Sequence, residues 1–145
     1  MQINEDLLGT IPNDIKNTKG KILWQNSNPN DSFPKSGNAN TTIKLKSNDY
    51  DYLLWVCTGG NDFISPGGTF IQFKSQVNTS FSFALGQSGN KLVNVFRYII
   101  KQSDTEFSIS SCYRYTQEAG TTGFIYDNKA LVPQYVIGYK LNIIA

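Results

Sequence analysis

At 145 residues the chain has the length of one domain, and it can bury about two-thirds of its unfolded surface without a metal or disulfide staple. A net charge of +2, carried by scattered single lysines with no basic block, gives no footing for a nucleic-acid partner. Histidine is absent, which removes Ser-His-Asp and Cys-His nucleophilic sites together with the common zinc sites.

Residues 1–20 read as an irregular N-terminal arm or linker. Leu7, Leu8, Ile11 and Ile15 approach a helical spacing, but Gly9 and Pro12 interrupt it. The opening MQINEDLLG is acidic and has no apolar h-region, so no secretory leader is expected. No apolar run reaches the roughly 20 residues that a spanning helix requires, so no membrane insertion is expected.

From Lys21 onward the chain alternates strand and turn. Candidate strands cover 21–24, 41–46, 51–57, 69–74, 79–85, 92–102, 105–115, 123–126 and 134–144. Turn chemistry separates them at Asn48-Asp49, Gly59 to Asp62, Ser65 to Gly68, Ser88 to Asn90, Gly120 and Asp127-Asn128. Nothing between them keeps a helical period over ten residues. The expected fold is all-β, an antiparallel β-sandwich or jelly-roll-like single domain over 21–145, with a closed barrel as the alternative.

The polar segment Gln25–Asn40 should run over the surface as an ordered rim, its Asn and Ser side chains bonding their own backbone. The clearest hairpin is LVNVFRYIIKQ and TEFSISSCYRY about Ser103-Asp104. Reflection at that turn pairs Lys101 with Glu106, Ile100 with Phe107 and Tyr98 with Ile109. Phe107, Ile109, Tyr113 and Tyr115 then share one face, and Glu106, Ser108, Ser110 and Arg114 the other. Alternation weakens at Ser111, where a close neighbour or a bulge fits. Arg97 and Arg114 fall near one another in this register, to pair with carboxylates or to meet an anionic polymer.

Catalytic chemistry is thin. Neither Cys57 nor Cys112 has a CxxC partner, and both read as buried thiols, although sequence does not decide whether they pair. Gly59-Gly60 and Gly67-Gly68 form no phosphate-binding motif and read as turns. Asp49 and Asp51 would project from one strand face, the minimum for sugar hydrolysis, while the other aspartates sit in turn signatures. No EF-hand or glycine-aspartate repeat is present, so no catalytic residue, metal or cofactor is expected.

Aromatic side chains are the remaining resource for binding, since Tyr and Trp combine a flat apolar face with a polar edge suited to sugars. Trp55 reads as core, and Trp24 as core or rim. The candidate contact set is Tyr126, Asp127 and Asn128, a ring followed by polar turn residues. Asn61, Asp62 and Phe63 form a second rim loop.

The phrases KGKILWQNSNPNDSF and TTIKLKSNDYDYLLWVC resemble the opening of C-terminal receptor-binding (head) domains of tail-fibre and baseplate proteins from tailed phages and prophages of Gram-positive bacteria. Those domains open on an ILW phrase followed by Asn and Pro, and a DYDxL phrase leads into a central strand. QYVIGYKLNII stands where they close on Ile-Tyr-Gly, which it reproduces only in part. The resemblance implies a β-rich, non-enzymatic head, a homotrimer at the tail tip or baseplate of a virion assembled in the host cytoplasm. It further implies contact with other tail or baseplate proteins and adhesion to a host cell-wall saccharide or teichoic acid. A structural tail or assembly protein without a receptor site, or a bacterial carbohydrate-binding module or adhesin, would share the fold. The shared phrases look structural and transfer no contact residue.

Overall fold

The computed structural model describes residues 19–58, 67–87, 91–118 and 121–141. The arm expected over 1–20 therefore lies almost wholly outside the described residues, as do Asn61, Asp62 and Phe63. The described residues form ten strands and no helix: β1 (Lys21–Gln25), β2 (Thr41–Lys44), β3 (Tyr52–Thr58), β4 (Gly68–Phe73), β5 (Asn78–Gln87), β6 (Lys91–Lys101), β7 (Glu106–Ile109), β8 (Tyr113–Glu118), β9 (Thr121–Tyr126) and β10 (Val132–Tyr139). Among the described residues no helix is long and apolar enough to cross a membrane.

The strands form two antiparallel sheets, four-stranded β1-β10-β3-β4 and six-stranded β2-β7-β6-β8-β9 with β5 on the other edge of β6. They pack face to face as a sandwich, because each sheet offers one mainly apolar face. Leu53, Trp55 and Cys57 of β3 face Phe81, Val93, Val95, Ile99 and Phe107 of the other sheet in one buried cluster. Trp55 is the centre of that core. Its ring lies 5.5 Å from Phe81 and 5.6 Å from Phe107, and its indole N–H donates to the buried Gln72 Oε1 at 3.0 Å. That bond satisfies a polar group that burial would otherwise leave unpaired. Gly138 of β10 lies against Leu23, whose Cδ1 would be 2.6 Å from a Cβ added there, with Tyr50 Cβ at 3.1 Å, so a side chain at this position would push Leu23 out of its place in the core.

The expected hairpin about Ser103-Asp104 exists, but its register is one residue different. Lys101 pairs with Phe107, Ile100 with Ser108 and Ile99 with Ile109. The loop has an odd number of residues, and Gln102 and Ser103 N–H both donate to the Glu106 carbonyl. A slip of one residue exchanges the two faces of a strand, and burial decides which register wins. Ile99 is buried and Ile100 is exposed, so Phe107 and Ile109 reach the core only in the observed pairing. The charges follow: Lys101 binds Asp104 at 2.5 Å, and Glu106 lies opposite Lys44, 3.8 Å away.

The single strand expected over 105–115 is two strands. Three steps along β6, from Ile99 to Phe96, correspond to four along the partner, from Ile109 to Tyr113. The extra residue makes a bulge at Ser110–Cys112, the step where alternation weakened. Ser110 repairs the ladder: its N–H donates to Tyr98 O at 3.0 Å, and its Oγ accepts from Tyr98 N–H at 2.9 Å. The bulge also reverses the faces. Phe107 and Ile109 point into the core, whereas Tyr113 and Tyr115 point outward, so the common face expected for all four does not exist.

Candidate functional site

The site begins with β6, which is apolar on both faces. Val93, Val95, Arg97 and Ile99 face the core; Phe96, Tyr98 and Ile100 face outward. The one charged residue of the strand's central run is thus on the inner face. Arg97 is 0% exposed. Its guanidinium donates to Ser110 O at 2.9 Å, Ala130 O at 2.9 and 3.2 Å, and Asn128 O at 3.2 Å, with Phe33's ring 5.7 Å away. These hydrogen bonds end on backbone carbonyls and not on the carboxylates expected. Burial holds its pKa below the ordinary value. Leu131, at φ 48°, takes a backbone shape rare for a residue with a side chain, and it follows the carbonyl that receives two of these bonds.

Arg97 therefore ties together the bulge and the Asp127–Ala130 turn, and these hold the outer face in place. On that face Phe96 pairs across β6–β8 with Tyr113, and Tyr113 across β8–β9 with Tyr126. Phe96 and Tyr113 stack at 5.3 Å and 17°, Tyr98 stands edge-on to both at 5.4 and 6.1 Å, and Tyr126 lies 5.2 Å from Tyr113. The result is an aromatic ridge across three strands. Its inner members are half-buried against one another, while Tyr98 and Tyr126 at its ends remain 51% and 47% exposed. Ser80 and Ser82 of β5 lie beside it, opposite Tyr98 and Phe96, and Ser82 Oγ donates to Asn94 Oδ1 at 3.1 Å. Exposed rings flanked by hydroxyl and amide groups match the apolar faces and hydroxyls of a saccharide.

Of the sequence-derived contact set, the structure places Tyr126 on this ridge and turns the other two residues inward. Asp127 receives a hydrogen bond from Arg114 Nη2 in an ion pair whose side chains are 14% and 13% exposed. Asn128 Oδ1 accepts from Cys112 N–H at 3.1 Å, and its amide donates to Gly37 O at 3.0 Å. Its carbonyl accepts from Phe33 N–H at 2.8 Å as well as from Arg97. These residues shape the support of the ridge. Asn61, Asp62 and Phe63 lie outside the described residues. Sequence reasoning missed Phe96 and Tyr98, although the run VFRYII, apolar at both parities around a single arginine, carried the signal.

The rim over 25–40 is ordered by its own polar groups. Asn26 is buried, donating from its amide to Pro133 O at 2.9 Å and accepting Asn28 N–H at 2.9 Å. Beneath the rim is a cleft of about 220 Å³ lined by Trp24, Asn26, Asp31, Phe33, Lys35 and Thr41. Trp24 and Phe33 meet edge-on there at 6.3 Å. The cleft is smaller than the pockets of roughly 300–1,000 Å³ that enclose small ligands, and Asp31 and Lys35 on its edge pair at 3.5 Å. The ridge is the better site.

The carboxylates Asp49 and Asp51 share Lys140, at 2.7 and 4.0 Å, and Asp51 Oδ2 also accepts Leu141 N–H at 2.7 Å. Lys140 holds Asp49's pKa below its ordinary value by a hydrogen bond and by its charge. That is the opposite of what a proton-donating acid requires. Cys57 and Cys112 are free and buried, and desolvation pushes their thiols up to about 12 and about 11. Among the described residues no group of three His, Cys, Asp or Glu could hold a metal ion.

The outer face of the four-stranded sheet is apolar as well. Ile22, Ile137, Leu54 and Ile71 line up across all four strands, with Tyr139, Tyr52 and Phe73 forming the next row. Ile71 is 57% exposed, and Tyr52 and Tyr139 stack at 5.1 Å. No protein-family model, no curated protein and no solved structure matches the chain.

Proposed function

We propose that this chain is a non-enzymatic receptor-binding head of a phage or phage-like tail, adhering to a host cell-surface saccharide or teichoic acid as a homotrimer. The observation that carries this reading is the ridge Tyr98–Phe96–Tyr113–Tyr126, which exposes aromatic surface on a rigid sheet and not on a loop. A preorganised aromatic surface loses little conformational freedom on binding. The resemblance of the ILW and DYDxL phrases supplies the biological setting. The uncharged rows on the opposite sheet support self-association, because an apolar patch of that kind marks a contact surface. Association through that sheet would leave the ridges of several copies facing outward, where weak sites add by avidity.

Adsorption to host cells, competed by purified host-wall polysaccharide, tests the reading. Tyr98→Ala with Tyr126→Ala should weaken it at least about 10-fold, the loss expected from roughly 1.4 kcal/mol of ring contact. Unchanged adsorption would dismiss the ridge. The second reading, a structural tail or assembly protein, is favoured by the apolar face of the four-stranded sheet. Ile71→Lys should then abolish assembly, as read by sedimentation, in a protein that adsorbs to no cell.

A further inference from the structure

We infer that the ridge takes the uncharged part of a glycan and not the phosphate backbone of a teichoic acid; the inference rests on the receptor-binding reading. Recognition of a polyanion needs cations whose donors reach it, and the planar fork of arginine is the usual phosphate ligand. The chain has two arginines, Arg97 and Arg114, and both lie directly beneath this face. Arg97 is sealed in the core with its donors on three backbone carbonyls. Arg114 binds Asp127, so its charge is matched within the protein. Lys101, at the end of β6, has a side chain only 14% exposed and bonds Asp104 and Lys74 O. Outward positions around the ridge hold Ser80, Ser82, Asn94, Ile100 and Tyr115, none of them charged. Lys129 is exposed in the turn after β9, and Lys44, exposed on β2 of the same sheet, faces Glu106 at 3.8 Å; such scattered lysines make no polyanion track.

The surface that remains is aromatic, hydroxyl and amide. It suits a pyranose ring whose C–H face stacks on Tyr98 or Tyr126 while its hydroxyls meet Ser or Asn side chains. Affinity of this kind should be insensitive to salt, because it has no charge pair to screen.

Titration calorimetry of the full chain with two probes tests this: a phosphate-free neutral wall polysaccharide and polyglycerol phosphate. Expected is binding of the neutral polymer that changes less than about 2-fold between about 0.05 and 0.5 M salt. Tyr98→Ser should weaken it about 10-fold, Tyr126→Ser should do so independently, and Lys129→Gln should leave it unchanged. Both tyrosine variants are first confirmed folded by an unchanged thermal transition. Tighter binding of polyglycerol phosphate, lost with salt and in Lys129→Gln, overturns the inference and leaves the receptor reading standing. Binding of neither polymer also overturns it. Failure of the chain to adsorb to host cells then removes the receptor reading as well.

Discussion

Phe107 and Tyr113 are aromatic residues six positions apart in what reads as one strand, and strict alternation would put them on one face. Phe107 lies in the core against Trp55, and Tyr113 lies in the ridge against Phe96 and Tyr126. The difference is one residue. Before the bulge, odd-numbered positions point inward; after it, they point outward. A local irregularity of the backbone thus decides which aromatics stabilise the protein and which remain for a partner. The same bulge turns the Ser110 carbonyl to Arg97, so the device that exposes the tyrosines is anchored to a fully buried charge.

Removing the extra residue should have the largest effect. Deleting Ser111 restores alternation and drives Tyr113 and Tyr115 toward a core that has no volume for them, or else pulls Phe107 and Ile109 out. Either outcome costs several kcal/mol, a large part of the roughly 5–15 kcal/mol by which a domain is stable. The deletion variant should lack a cooperative thermal transition and the near-ultraviolet signal of packed aromatics. A cooperative transition near the parent's would mean that the bulge is not the determinant.

Paired substitutions on the two sides of the bulge sharpen the contrast. Phe107→Ala should lose about 3–5 kcal/mol in urea unfolding, through a cavity beside Trp55. Tyr113→Ala should lose about 1 kcal/mol, the scale of cross-strand aromatic pairs on a half-buried face. Equal losses would mean that the ridge is core.

The class of fold, the turn at Asp127-Asn128 and the bulge's position were legible in the sequence, because period-2 patterning and the residues that interrupt it are local properties. The hairpin register was not. VFRYII is apolar at both parities, and its arginine marks the outer face to any reader who expects charges in water. Arg97 is instead buried because three carbonyls, from segments 13 to 33 residues away, converge on it. Local pattern cannot announce such a convergence. The same holds for the candidate site. Tyr126 was found because a turn follows it. Asp127 and Asn128 looked available because their partners, Arg114, Cys112 and Gly37, are distant in sequence. Phe96 and Tyr98 were hidden because an apolar residue in a central strand reads as core.

The effect that vanishes at neutral pH concerns the thiols on either side of the buried arginine. Cys112 closes the bulge and Cys57 lies in the facing sheet; Arg97's charge acts on both, yet desolvation outweighs it and raises each thiol above the ordinary 9.0. In the unfolded chain these groups ionise near that ordinary value. The folded protein keeps its protons longer, so it binds more protons than the unfolded state above about pH 9. Stability from this source is complete below pH 9 and is lost as pH rises toward about 11 for Cys112 and about 12 for Cys57. Between pH 8 and 10 the two thiols together should cost about 2–3 kcal/mol, a fall of several degrees in Tm. Cys57→Ala with Cys112→Ala should flatten that slope while lowering Tm at pH 7. An unaltered slope would mean that the thiols titrate normally in the folded protein. The core on the bulge's inner side would then be wetter than its packing around Arg97 implies.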